Sequence, residues 1–255
     1  MLAAGRGERL RPLTDSAPKP LLEAGGRPLI HYALLLLRRA GVTEVAINLH
    51  HLGDNLRSTL GDGSSLGMSI TYSPEPVLLG TGGPLPGLRG YFGGEPFIVM
   101  NSDTIIDLDL ARVIEFHRRR RSLATFVLRE LVKPDVYSEL EVDPDGRLIA
   151  MRLLVDRAAK RIAEYRPPET PADLPAAAHC MFCGISICEP AVLDLPAPPP
   201  PFSLMGDLFA PALAAGSPLA GYLHSGYFRT VDDLAGYETI AREFAAAPPA
   251  LAYLA

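Results

Sequence analysis

Gly5 and Gly7 stand at alternate positions in the string Leu2-Ala3-Ala4-Gly5-Arg6-Gly7-Glu8-Arg9-Leu10. Lacking side chains, such glycines let backbone N–H groups converge on a ligand, and a nest of this kind favours anions. Arg9 and Arg11 add forked donors that suit phosphate oxygens. Pro18-Lys19-Pro20 holds a lysine between two stiff rings, which aims its ammonium with little entropic loss. Taken alone, Gly5-Arg6-Gly7 is a weak signal and reads more readily as a bare turn. It is not the dinucleotide fingerprint, because Leu10 stands where the third glycine belongs, and there is no G-x-x-x-x-G-K-[ST].

A second chemical signal is Asn101-Ser102-Asp103, directly after the apolar run Phe97-Ile98-Val99-Met100. A run apolar on both faces suits a central parallel strand. Ligands of open α/β sheets sit beyond the carboxyl ends of strands. Asp103 is then placed where its hard oxygen could hold a cation such as Mg²⁺. The alternative is an aspartate that caps a following helix, with Thr104 beside it.

The elements that must carry these groups follow from hydrophobic periodicity. Residues 27–40 read as a helix through Leu29, Ile30, Ala33, Leu36 and Leu37, with Pro28 in its first turn and Gly41 as its stop. Residues 44–49, 69–72 and 97–100 read as strands, and 54–60 and 108–120 as helices. This alternation predicts an α/β sheet, largely parallel, with helices on its faces. Strands are expected at 123–129, 139–142 and 148–153, the last two joined by the turn Asp143-Pro144-Asp145-Gly146. Helices are expected at 209–215 and 232–246, and proline-rich surface loops at 166–178 and 196–201.

Composition narrows the function classes. The 255 residues are 48% hydrophobic and 21% charged, which argues for a folded globular chain. Net charge is −5, from 24 basic and 29 acidic residues, so general nucleic-acid binding is not expected. Three cysteines give no disulfide framework, and apolar runs such as residues 32–37 fall short of a membrane span. No signal-peptide pattern opens the chain, so a reducing, cytoplasmic setting is expected. No oligomeric state is assigned.

The string through Pro20, G-x-G-x-R-L-x-P-L-T followed by P-K-P, resembles the signature of the sugar-1-phosphate nucleotidyltransferases, or NDP-sugar pyrophosphorylases. The likeness continues through Asn48-Leu49-His50-His51-Leu52-Gly53, then Glu75 with Leu79-Gly80-Thr81-Gly82-Gly83-Pro84. It takes in Asn101-Ser102-Asp103, Phe182-Cys183-Gly184-Ile185, and residues 202–211 and 226–237. It therefore covers nearly the whole chain. The pattern looks closest to short bacterial enzymes acting on mannose 1-phosphate or N-acetylmuramate 1-phosphate.

This resemblance implies a Rossmann-like mixed, mostly parallel sheet with flanking helices and a smaller, β-rich sugar-binding portion. It implies one domain over 1–255, with a nucleotide-binding half at 1–122 and a sugar-binding half with the C-terminal helix at 123–255. The implied reaction joins an NTP and a sugar 1-phosphate to give an NDP-sugar and pyrophosphate, with Mg²⁺. GTP with mannose 1-phosphate is slightly favoured over UTP with N-acetylmuramate 1-phosphate. Arg9, Lys19 and Asp103 are the implied catalytic residues. Leu2, Ala3, Ala4, Gly5, Gly7, Glu75, Gly80 and Thr81 would bind nucleotide. Asn101, Glu139 and Gly184 would bind sugar, and Asp103 would hold the metal with Asp232 as a second candidate.

Several positions depart from the family. Thr230 stands where a second metal-binding aspartate is usual, and Asp232-Asp233 replace Gly-Thr. This motivates an alternative, a ligand-binding regulatory relative that lost turnover. Asp233 is expected simply to open the last helix. A Glu-Lys-Pro that usually follows the hairpin is missing, and Arg152 and Arg157 are the nearby cations. Only Met1-Leu2 precede Ala3, so the chain is expected to begin late relative to the family. Cys180 and Cys183 lie three apart on an expected strand, on opposite faces, which argues against zinc. Arg118 to Arg121 are expected to face solvent at a helix end, and His50 and His51 to sit in a loop near the nucleotide rather than act as acid or base.

Overall fold

Leu29, Ile30, Ala33, Leu36 and Leu37 are all buried along one side of helix α1 (Leu29–Arg39), as their spacing requires. Gly41, at φ 85°, ends it. In the computed structural model, residues 1–132, 137–156, 158–170 and 178–254 are described. After α1 come β1 (Glu44–Leu49), α2 (Gly53–Leu60), β2 (Ser69–Pro74), β3 (Phe97–Met100), β4 (Thr104–Ile106) and α3 (Leu110–Arg120). The order continues with β5 (Ala124–Glu130), β6 (Glu139–Val142), β7 (Leu148–Asp156), β8 (Arg161–Tyr165) and β9 (Ala178–Cys188). A π-helical turn (Leu204–Phe209) runs into α4 (Ala210–Ala214), followed by β10 (Leu219–Leu223), β11 (Phe228–Thr230) and α5 (Leu234–Ala246).

The chain forms two compact units. The first comprises Met1–Leu78, Met100–Ala111 and Gly226–Ala255; the second comprises Leu79–Val99 and Arg112–Ser225. In the first, β1 and β2 pair in parallel, and β4 pairs antiparallel with β11. Its core holds Ile30, Leu34, Ile47, Leu56 and Ile105, each fully buried. Burying one such side chain contributes roughly 1.5–3 kcal/mol. The Tyr32 ring meets Phe244 of α5 edge-on at 5.7 Å, and Asp233 caps α5 by accepting from Gly236 N at 2.8 Å.

The second unit is built on a sheet of order β8-β7-β6-β9-β5-β10, with β3 pairing β9. Only β5–β10 among the pairs with a defined register here is parallel; β5–β9, β6–β9, β6–β7 and β7–β8 are antiparallel. The sheet is thus mixed, as expected for the class. Its parallel share is smaller than the β-α alternation suggests, because hairpins replace crossover helices after residue 123. Phe126 packs edge-on against Phe209 at 4.9 Å and Phe182 at 5.8 Å in its core. No helix among the described residues is long and apolar enough to cross a membrane. Part of the expected 166–178 loop lies outside the described residues, as does Arg157.

Candidate active site

The glycine loop is held at both ends. At its start, Leu2 N donates to Met100 O at 2.8 Å, and Leu2 O accepts from Ser102 N at 3.2 Å and Ser102 Oγ at 2.8 Å. Leu2 also bridges Asn101 in parallel. These bonds set Asn101-Ser102-Asp103 beside the loop. Ala3 N donates to Asn48 Oδ1 at 2.6 Å. At the far end, the buried Thr14 hydroxyl donates to Gly7 O at 2.9 Å. Gly7 adopts φ 63°, and a Cβ there would lie 2.8 Å from Thr14 Cγ2, so this position requires glycine. At Gly5 a Cβ would meet nothing within 4 Å, which leaves open space against the backbone. Between the anchors, the N–H groups of Ala4, Gly5, Arg6 and Gly7 meet no protein acceptor among the described residues. That is the arrangement an anion nest needs.

Lys19 leaves an extended Pro18, and its ammonium contacts Asp103 Oδ2 directly. Both side chains are largely buried, at 19% and 12% exposure, so this ion pair is less screened than a surface one. Asp103 does not cap a helix: the next residues form β4, whose Thr104 pairs with Thr230 of β11. That register brings Thr230 Oγ1 to 3.4 Å from the same Asp103 Oδ2. Arg9 lies 3.6 Å from Asp232. Asp103 thus offers a buried hard oxygen, the donor type that Mg²⁺ takes together with substrate phosphates. Thr230 is neutral and Asp232 faces an arginine, so the residues present fit the ion through Asp103.

Glu75 is 4% exposed and held by the end of β1. Its N–H donates to Leu49 O at 2.7 Å, and its Oε1 accepts from Asn48 Nδ2 at 2.7 Å. His50 Nδ1 lies 2.8 Å from Glu75 O, and His51 Nε2 lies 2.8 Å from Thr14 O. A carbonyl oxygen only accepts, so each of those ring nitrogens carries its proton. Both histidines therefore tie loops together. Asn48 opens one of the segments that carry the family likeness, but the periodicity that reads β1 as a strand does not single it out, since Val45 to Leu49 are all buried.

The remaining residues expected at the site belong to the second unit. Gly80, at φ 80°, packs so tightly that a Cβ would lie 2.4 Å from Phe202 O. Thr81 Oγ1 accepts from Leu204 N at 2.8 Å. Gly184, at φ 78°, sits where the β9–β5 register shifts between Phe182 and Ser186. Glu139 accepts from Arg152 at 3.2 Å and also contacts His179. Arg152 reaches Glu141 and Glu164 as well, and Arg166 binds Glu164 at 2.5 Å and Glu141 at 3.2 Å. Arg166, joined by Arg152, holds the Glu164 carboxyl below the usual carboxylate range. Arg152, one of the two cations near the position of the missing family lysine, is therefore engaged by three carboxylates. Glu139, Glu141 and His179 have metal-ligand spacing, but these arginines already balance the carboxylates. Cys180, Cys183 and Cys188 are buried free thiols, and burial pushes Cys180 up to about 11.

The nucleotidyl transferase family profile matches residues 1–152, and the chain belongs to that family. It is 48% identical over 116 residues to the N-acetylmuramate alpha-1-phosphate uridylyltransferase of Neisseria meningitidis serogroup B, across 45% of this chain and 50% of that one. To the mannose-1-phosphate guanylyltransferase of Mycobacterium tuberculosis it is 35% identical over 150 residues, across 59% and 42% of the two chains. The chain spans about half the length of the curated relatives it matches. Among solved structures, HddC from Yersinia pseudotuberculosis superposes with a TM-score of 0.72 at 22% identity, covering 95% of this chain and 97% of that one. A UDP-glucose pyrophosphorylase complexed with UDP-glucose gives 0.70 at 19%, covering 96% and 97%. These two share the fold.

Proposed function

We propose that the chain transfers a nucleotidyl group from an NTP to a sugar 1-phosphate. A phosphate oxygen of the sugar 1-phosphate attacks the α-phosphorus, the bond to the β-phosphate's bridging oxygen breaks, and pyrophosphate leaves. The nucleophile is already ionised, so no strong base is required. The barrier is repulsion between two polyanions, and positioning with charge neutralisation lowers it. The observation that carries this reading is the Lys19–Asp103 contact in the same unit as the open N–H groups of Ala4 to Gly7.

In this assignment the Gly5–Gly7 backbone cradles the triphosphate and Arg9 neutralises the leaving pyrophosphate. Lys19 lies between the α-phosphate and the incoming phosphate. Asp103 holds Mg²⁺, which neutralises phosphate charge when bound. In the first unit Glu75 would contact the nucleoside and Asn101 the sugar; in the second, Gly80 and Thr81 are the nucleotide-binding candidates and Glu139 and Gly184 the sugar-binding ones. The setting is cytoplasmic, with no nucleic-acid or membrane partner. Two donor–acceptor pairs are carried forward. The sequence slightly favours GTP with mannose 1-phosphate, and the 48% match supports UTP with N-acetylmuramate 1-phosphate.

The test is pyrophosphate release with Mg²⁺, crossing four NTPs with several sugar 1-phosphates. One pair should dominate, and Lys19→Ala and Asp103→Asn should each lose about 100-fold or more. Unchanged rates in both variants would overturn the assignment. Nucleotide binding without turnover on any acceptor would favour the regulatory alternative that Thr230 suggests.

A further inference from the structure

We infer that Asn48 is a positioning residue that locks the start of the glycine loop and Glu75 into one rigid nucleotide-facing assembly. This rests on the proposed nucleotide site. Asn48 is 4% exposed and lies one residue from the end of β1. A side-chain amide has one acceptor oxygen and one donor nitrogen, and here both ends are used inside the protein. Oδ1 accepts from Ala3 N at 2.6 Å, and Nδ2 donates to Glu75 Oε1 at 2.7 Å. The orientation has no good alternative. Turned over, the amide would set N–H against N–H at Ala3 and oxygen against carboxylate at Glu75.

The two partners are 72 residues apart in sequence, Ala3 opening the loop and Glu75 following β2. Their joint fixation has further support from the backbone. Asn48 N donates to Met1 O at 3.3 Å, and Glu75 N donates to Leu49 O at 2.7 Å. The Asn48 amide nitrogen can only donate, so it fixes which face of the Glu75 carboxyl presents an acceptor oxygen. No other standard side chain of this size provides an acceptor and a donor on one planar group. Aspartate keeps the bond to Ala3 but turns a carboxylate toward a carboxylate. Leucine keeps the branched outline, though it is bulkier, and leaves the buried Ala3 N–H unpaired.

The test compares wild type, Asn48→Asp, Asn48→Leu and the double variant Asn48→Asp/Glu75→Gln. The double variant reverses the donor and acceptor across the 48–75 contact and retains the acceptor for Ala3. Binding of GTP and of UTP is measured by calorimetry at about pH 8 and about pH 6, with thermal unfolding alongside. His50, the titratable side chain bonded to the Glu75 backbone, is common to all four proteins, so comparison at each pH removes its effect. Asn48→Asp and Asn48→Leu should each weaken the preferred nucleotide by about tenfold or more at the higher pH. The Asp variant alone should recover at the lower pH, where the two carboxylates share a proton. The double variant should regain most of the lost thermal stability. Binding within about twofold of wild type in both single variants, with wild type binding tightly, would overturn the inference alone. So would an Asp defect equal at both pH values, or a double variant that does not fold. If wild type binds neither nucleotide, the proposed function falls and this inference with it.

Discussion

The Thr230 hydroxyl stands 3.4 Å from Asp103 Oδ2, the same oxygen that Lys19 contacts. A neutral donor thus occupies the position opposite the proposed metal ligand. Replacing it with a carboxylate would put two negative oxygens beside one ammonium. Thr230→Asp should therefore lower the Mg²⁺ concentration for half-maximal pyrophosphate release by roughly three- to tenfold, the scale of about 1 kcal/mol for partly screened charges. In the absence of divalent ions the same variant should unfold at a lower temperature than wild type. An Mg²⁺ dependence that does not move would separate Asp103 from the ion.

Stability and turnover should come apart at Lys19. Lys19→Met leaves the Asp103 carboxylate largely buried without its ammonium, and should destabilise the fold by about 1–3 kcal/mol. Lys19→Met with Asp103→Asn removes both charges and should recover most of that loss in urea titrations. Pyrophosphate release should stay down about 100-fold or more in the double variant. Recovery of turnover together with stability would mean that the pair serves the fold and not the reaction.

Local pattern makes much of this legible. The spacing in α1, the apolar run of β3 and the glycine loop each place their element to within a few residues, because a single period or turn decides them. Asp233 as the cap of α5 is equally readable from residue type. What pattern does not supply is register. Thr230 faces Asp103 only because β11 pairs with β4 across more than a hundred residues of chain. The alternative in which Asp103 caps a helix fails for the same reason, since Thr104, Ile105 and Ile106 find a strand partner there and the expected helix starts only at Leu110. Asn48 joins Ala3 to Glu75 through contacts that no short window contains, and the Arg152–Arg166 network needs three hairpin strands in place.

Gly80 separates packing from ligand contact. Its φ is 80°, and Phe202 O lies 2.4 Å from where a Cβ would stand, so the position demands glycine whether or not a nucleotide binds. Gly80→Ala should cost roughly 2–4 kcal/mol, combining backbone strain with a clash against main chain that cannot swing aside. At Gly87 a Cβ meets nothing within 4 Å, and Gly87→Ala should change stability by no more than about 0.5 kcal/mol. Chemical denaturation of both variants checks the contrast. Equal midpoints would place the role of Gly80 elsewhere.

His117 gives the second unit a pH-dependent stability of defined sign. Its ring is 2% exposed, with Nδ1 2.8 Å from Thr125 Oγ1 and Nε2 3.1 Å from Glu189 Oε1. Burial lowers its pKa below the ordinary 6.5, and the Glu189 carboxylate opposes that shift without cancelling it. The unfolded chain therefore binds this proton more tightly than the folded one. Its contribution to stability is full above 6.5 and is lost as pH falls from there through the folded value. Urea midpoints of the wild type should decline on going from about pH 7.5 to about pH 5. His117→Gln should start lower by about 1–2 kcal/mol, through lost contacts, and decline less steeply over the same interval. Parallel slopes for the two proteins would assign the acid sensitivity to other groups.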